Sequence, residues 1–253
     1  MTMSITRRGF MGHAGAALGI GLFGGVGRAT AEPSQPALPA IGQTIRLSLN
    51  GFGATLSINT PPPAPTLNFI GSRVVQVLAG GADYVRLRTV DFTAEAAHPM
   101  FGKITMRLPD ISTDADGVLK VVSPGRLAET WVLSMQVSFE QCGDCQGPFI
   151  FYPHQPAQWT AELTGFPPPP LGMNPDGSSA GGALYRLSRP IRLTTTPPTG
   201  PGSSGQANPD PEPARQAAAN PSCGTCPLGT PLPGDDSTFA VFETLDFHQG
   251  QMT

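Results

Sequence analysis

The sequence predicts an all-β protein, an antiparallel β-sandwich or barrel-like domain with a Pro/Gly-rich C-terminal extension. Two observations carry this. The chain holds 31 glycines and 29 prolines among 253 residues, too many turn-formers for a mainly helical protein. Its apolar residues alternate with polar ones at period two, the mark of half-buried antiparallel strands.

"TIRLSLN" puts Ile45, Leu47 and Leu49 on one face and Thr44, Arg46 and Ser48 on the other. "KITMRL" sets Ile104, Met106 and Leu108 against Lys103, Thr105 and Arg107. "TWVLSMQVSFE" reads as one strand with Trp131, Leu133, Met135, Val137 and Phe139 inward, and Ser134 and Gln136 more exposed. "QWTAELT" sets Trp159, Ala161 and Leu163 against Gln158, Thr160 and Glu162. Further strand-like runs are 54–58, 67–78, 83–96, 184–195 and 238–247. About nine short strands with turn signals between them suggest a sandwich or barrel.

The expected organisation has five parts: an export signal over 1–31, an N-terminal linker over 32–43, a β-domain over 44–195, a flexible Pro/Gly-rich linker over 196–236, and a C-terminal strand over 237–253. The linker has almost no large apolar side chains, so burial cannot offset its ordering entropy.

The first segment sets the destination. Arg7 and Arg8 precede a glycine- and alanine-rich apolar stretch, and Ala29 and Ala31 form the small-x-small pattern that a signal peptidase accepts. "TRRGFM", with Thr6, Arg7, Arg8, Gly9, Phe10 and Met11 in order, resembles the twin-arginine (Tat) export signal. Gly12 stands where that pattern often has Lys. The resemblance implies the Tat machinery as a partner and a periplasmic or extracellular location. The apolar stretch is short for a spanning helix, so no membrane span is expected in the mature chain.

Removing residues 1–31 takes away three arginines and no acid, leaving 12 basic against 18 acidic residues. Only Lys103 and Lys120 are lysines. An acidic chain with no basic stripe is a poor partner for nucleic acid.

Four cysteines form two C-G-x-C pairs, Cys142 with Cys145 and Cys223 with Cys226. Structural disulfides are one reading, and an oxidising destination permits them. Four thiolates for a metal, usually zinc, are the second, and a redox-active pair is the third. Convergence of the two pairs would anchor the linker to the domain. The cofactor expectation is therefore none or zinc.

Other constellations have plainer explanations. His98 and His154 lie beside prolines in loops, and His248 is near the C-terminus. Asp110, Asp114 and Asp116 precede Gly117, where a D-G hairpin turn is the simpler reading than calcium. "GSSAG" places Ser179 in a G-x-S-x-G string, but without the strand-then-helix context that a nucleophile elbow needs. Tyr152, Trp159 and Tyr185 could form a sugar platform, although buried aromatics are the more usual explanation. No catalytic residue is assigned. The resulting expectation is an exported binding or structural protein with a cysteine-stapled extension. The alternative is a Tat-exported metalloprotein or redox accessory subunit using the four cysteines.

Overall fold

The structure, a computed structural model, describes residues 37–109, 115–173, 179–197 and 226–252. Three long antiparallel strands form its spine: β1 (Thr44–Ile58), β2 (Thr66–Leu78) and β3 (Tyr84–His98). Each serves two different neighbourhoods along its length. The first half of β3 pairs with β5 (Asp116–Ser123), and its second half pairs with β4 (Gly102–Arg107).

The pairings close two rings that share the spine. The first runs from β3 through β5, β6 (Arg126–Leu133), β9 (Ala157–Leu163), β12 (Ala183–Leu187) and β15 (Phe247–Gln251) back to β1. The second runs from β3 through β4, β7 (Gln136–Cys142), β8 (Cys145–Pro153), β13 (Ile191–Thr194) and β14 (Ala240–Thr244) back to β1. With β1, β2 and β3 each ring has eight strands. An eight-stranded barrel has room inside for packed side chains or for one small ligand. A separate short hairpin joins β10 (Leu171–Met173) to β11 (Ser179–Gly181).

Irregularities mark where the spine passes between rings. In β1, Gly51 faces Phe69 but Ala54 faces Leu67, so one extra residue enters around Phe52 and Gly53. Gly53 takes a φ of 68°, which costs glycine little and other residues more. In β3, Val74 faces Asp91 and Val75 faces Thr89, which leaves Val90 as the extra residue. Such bulges bend a strand and add twist, as a strand shared by two barrels requires.

The alternation seen in the sequence sorts the faces. Ile45, Leu47, Leu49, Ile104, Met106, Trp159, Ala161 and Leu163 are all buried. The outward positions include the exposed Arg46, Lys103, Arg107 and Glu162. The second ring is lined by apolar side chains; within it Phe69 meets Phe242 edge-on at 6.0 Å and Phe139 meets Phe151 at 5.7 Å. Among the described residues no helix is long and apolar enough to cross a membrane.

Three expectations need correction. Residues 130–140 are not one strand. β6 belongs to the first ring and β7 to the second, so Ser134 and Gln136 lie at the crossing and are buried rather than exposed. With its amide oxygen turned toward Arg107, Gln136 accepts from Nε and Nη2 at 2.7 and 2.8 Å. Asp116 and Gly117 do not turn a hairpin; they open β5. The Asp116 carboxylate is held by Arg88 at 2.9 Å and Arg86 at 3.4 Å, and the hairpin turns instead at Pro124–Gly125. Asp110 and Asp114 lie outside the described residues.

At the C-terminus the structure has two strands where one was expected. They break at Leu245–Asp246, where the Leu245 carbonyl accepts from Trp159 Nε1 at 2.6 Å and Asp246 Oδ1 accepts from the Leu187 amide at 2.8 Å. β14 and β15 each fill a gap in a ring. Of the segment read as linker, 198–225 lies outside the described residues. Its last part packs against the domain, with Cys226 and Leu228 in the core. Asp235 shapes the lead into β14. It accepts from Thr238 at 2.7 Å, Ser237 at 2.8 Å and Arg192 at 2.9 Å, and these donors hold its carboxyl below the usual range.

Candidate functional site

The first ring differs from the second at its centre. Inward positions of four strands carry Arg73 (β2), Glu129 (β6), Tyr185 (β12) and Gln249 (β15), each at most 1% exposed. Strand parity places them there. Arg73 faces Leu47 across β1, and Glu129 lies between inward Leu127 and Trp131.

Arg73 organises the group. Its Nη1 donates to Glu129 Oε1 at 2.9 Å and to Gln249 Oε1 at 3.2 Å, and its Nε donates to Thr89 Oγ1 at 3.1 Å. Tyr185 donates its hydroxyl to the other oxygen of Glu129 at 2.5 Å. The guanidinium lies over the Trp131 ring, 4.4 Å from its centroid, in the range of cation–π attraction. Trp131 stacks on Trp159 at 4.3 Å, with Phe247 5.9 Å away.

The hydrogen bonding is incomplete on one side only. Arg73 Nη2, Trp131 Nε1 and Gln249 Nε2 are buried and have no partner. All three are donors. Rotating the Gln249 amide would not help, because its nitrogen would then face the Arg73 donor. Trp159, by contrast, has its indole N–H paired with Leu245. Buried polar groups are normally satisfied, and an orphan costs about 1–3 kcal/mol.

Burial and the adjacent Glu129 carboxylate push the Tyr185 phenol well above its ordinary value, with Arg73 opposing. The folded chain therefore keeps this proton when the unfolded chain loses it, from about pH 10. Stability from this group is present below about pH 10 and falls as pH rises beyond it. Tyr185→Phe is expected to cost about 1.5–3 kcal/mol at neutral pH, the worth of a hydrogen bond to a charged group. It should also make the alkaline loss of stability shallower. Urea unfolding of both proteins between pH 7 and 11 measures both effects. An unchanged alkaline slope would show that Tyr185 titrates normally.

The residues singled out in the sequence lie elsewhere or have other roles. Cys142 ends β7 and Cys145 starts β8, facing each other across a tight turn. Gly143 takes a φ of 61° in that turn, which accounts for glycine inside the first C-G-x-C. Cys142 forms a disulfide with Cys226, with Cα atoms 5.4 Å apart and a sequence separation of 84. Cys145 is also disulfide-bonded. Cys223 lies outside the described residues, as do Arg7, Arg8, Phe10, Ala29 and Ala31. A four-thiolate zinc site would require the Cys142–Cys226 bond to be reduced. Among the described residues no three His, Cys, Asp or Glu side chains are grouped to hold a metal.

His98 stacks on Phe101 at 5.1 Å, and burial lowers its pKa. His154 is exposed beside Arg189 and Glu243 in a surface cleft of about 370 Å³. Trp159 and Tyr185 are buried inside the barrel and so form no surface platform. Ser179 lies in the β10–β11 hairpin, with a strand and not a helix after it.

The sequence reading missed Arg73, Glu129 and Gln249. The available signal was parity: a charged or amide side chain at a position where the alternation calls for an apolar one.

Fold and site together define the class: a fused pair of antiparallel eight-stranded barrels, one lined by apolar side chains and one with a buried polar centre. No family model and no curated protein sequence matches the chain. A solved structure, that of DynF from the dynemicin biosynthesis pathway of Micromonospora chersina, is similar in fold. The match has a TM-score of 0.53 at 15% identity and covers 88% of this chain and 86% of that one.

Proposed function

We propose that the protein is exported by the Tat route and binds a small molecule inside its first barrel. The observation that carries the binding reading is the set of three buried donors without acceptors, Arg73 Nη2, Trp131 Nε1 and Gln249 Nε2. An ion pair kept only for structure gains nothing from unpaired donors around it, whereas a binding centre leaves them for its ligand. The aromatic walls supply apolar contact, as ligand sites usually do. The centre is closed in this state, so a ligand enters by opening the barrel. DynF, a protein of a biosynthesis pathway, suits a small-molecule role for this fold and assigns no ligand.

A thermal-shift screen of small molecules against the wild type and an Arg73→Met/Glu129→Leu double variant tests the reading. Apolar replacement of a whole buried pair is often neutral for stability, so the double variant is a fair control. Compounds that raise the wild-type melting temperature and not the variant's support the binding reading. Equal responses, or none, remove it.

Export rests on "TRRGFM" and on the disulfide, which suits an oxidising compartment. Replacing Arg7 and Arg8 together with Lys should leave an uncleaved precursor inside the cell, detected by fractionation and immunoblotting. Normal export of that variant would point to the general secretory route instead.

A further inference from the structure

We infer that the ligand of the first barrel is a neutral aromatic carbonyl compound, such as a ketone, quinone or ester, and that the site discriminates against carboxylates and amines. This rests on the binding reading above and adds the ligand's chemistry to it.

The first argument is the direction of the unpaired groups. Every orphan at the centre is an N–H: Arg73 Nη2, Trp131 Nε1 and Gln249 Nε2. The facing oxygens already carry donors. Glu129 Oε1 takes Arg73, Glu129 Oε2 takes Tyr185, and Gln249 Oε1 takes Arg73. An acceptor entering here meets three donors that have no partner, whereas each of the facing oxygens already has one. A carbonyl oxygen has two lone pairs and no hydrogen, so it can take two of the three donors and bring no unmet group of its own.

The second argument is charge. The Arg73 and Glu129 charges cancel, and Tyr185 is held in its neutral form. A carboxylate would bring one uncompensated negative charge into a fully buried space, at a cost of several kcal/mol. An ammonium would likewise bring one uncompensated positive charge into the same buried space.

The third argument is shape. Trp131 and Trp159 are stacked, with Phe247 within 5.9 Å of both and Phe92 edge-on to Trp131 at 5.9 Å. Flat rings meet flat rings here. The Arg73 guanidinium lies over the Trp131 ring and Gln249 bonds to Arg73, so the unpaired donors sit beside these rings, which suits an aromatic body with one carbonyl rather than a ligand polar all round.

Four naphthalene compounds separate these terms on the mature, oxidised full chain: 1-acetonaphthone, 1-naphthoate, 1-naphthylmethylamine and naphthalene. Quenching of Trp131 and Trp159 fluorescence, checked by calorimetry, reports binding. The ketone should bind about tenfold or more tighter than each of the other three, the worth of one or two hydrogen bonds. Gln249→Leu should reduce the ketone's advantage over naphthalene, read as the ratio of the two affinities in the same variant. Its circular dichroism and melting temperature confirm folding, and the wild-type ranking stands as a test without it. Tighter binding of the naphthoate or the amine, or equal binding of all four, overturns the carbonyl assignment and leaves a binding barrel. Binding of none overturns the binding reading and this inference with it.

Discussion

A chain ending at residue 225 should fail to fold. Those last residues supply β14 and β15, and each ring has its own gap to fill: β14 sits between β13 and β1, and β15 sits between β1 and β12. The deletion also removes Leu228, Phe242, Leu245 and Phe247, each at most 1% exposed. At about 1.5–3 kcal/mol for each buried side chain, the loss is about 6–12 kcal/mol. A whole domain is stable by only about 5–15 kcal/mol. Both barrels would also gain open strand edges, which invite aggregation. Soluble yield and circular dichroism read the outcome, and a truncated chain that still unfolds cooperatively would contradict the closed-ring topology.

The disulfide makes that segment a fixed part of the domain. Closing a loop of 84 residues is worth about 4–5 kcal/mol in the chain-entropy model. Cleavage within 198–225 should leave the two pieces joined on a non-reducing gel and separate them on a reducing one. Separation without reductant would exclude the Cys142–Cys226 bond in solution.

The second large effect concerns the buried pair. Glu129→Leu alone should destabilise the protein by about 3–5 kcal/mol, because it leaves the Arg73 guanidinium buried without its countercharge. It also strands the Tyr185 hydroxyl. Arg73→Met alone should cost a similar amount for the mirror reason. The double replacement should recover most of the loss. Urea unfolding of the four proteins gives the coupling directly. Singles that cost under about 1 kcal/mol would mean that the two side chains reach water, which Arg73 at 0% exposure and Glu129 at 1% do not.

Strand formation was legible because side-chain parity is local. Ile45, Leu47 and Leu49 declare their face within six residues, and the structure buries all three. Ring closure was not legible. The β3–β5 and β1–β14 pairings join distant segments, and the bulges at Gly53 and Val90 that make two rings from one spine leave no periodic trace. Parity even misled at 130–140: Trp131 through Phe139 stay inward although the chain passes from β6 to β7, so alternation ran unbroken across a break.

The polar centre lay within reach of the same reasoning. Glu129 is two residues before Trp131 on the inward face of β6, so extending the alternation by one step puts an acid in the core. Arg73 holds the matching place on β2. A buried acid requires a partner, and an arginine at an inward position is the natural one. Which acid meets which base depends on the ring closure, and that the sequence conceals.

The most direct test is a crystal structure of the oxidised protein grown with 1-acetonaphthone. The carbonyl oxygen should lie about 2.7–3.2 Å from Arg73 Nη2, with the rings against Trp131 or Trp159. Ordered water on Arg73 Nη2 and Gln249 Nε2, with the ketone absent or seated in the His154 cleft, would contradict the first barrel as the binding site.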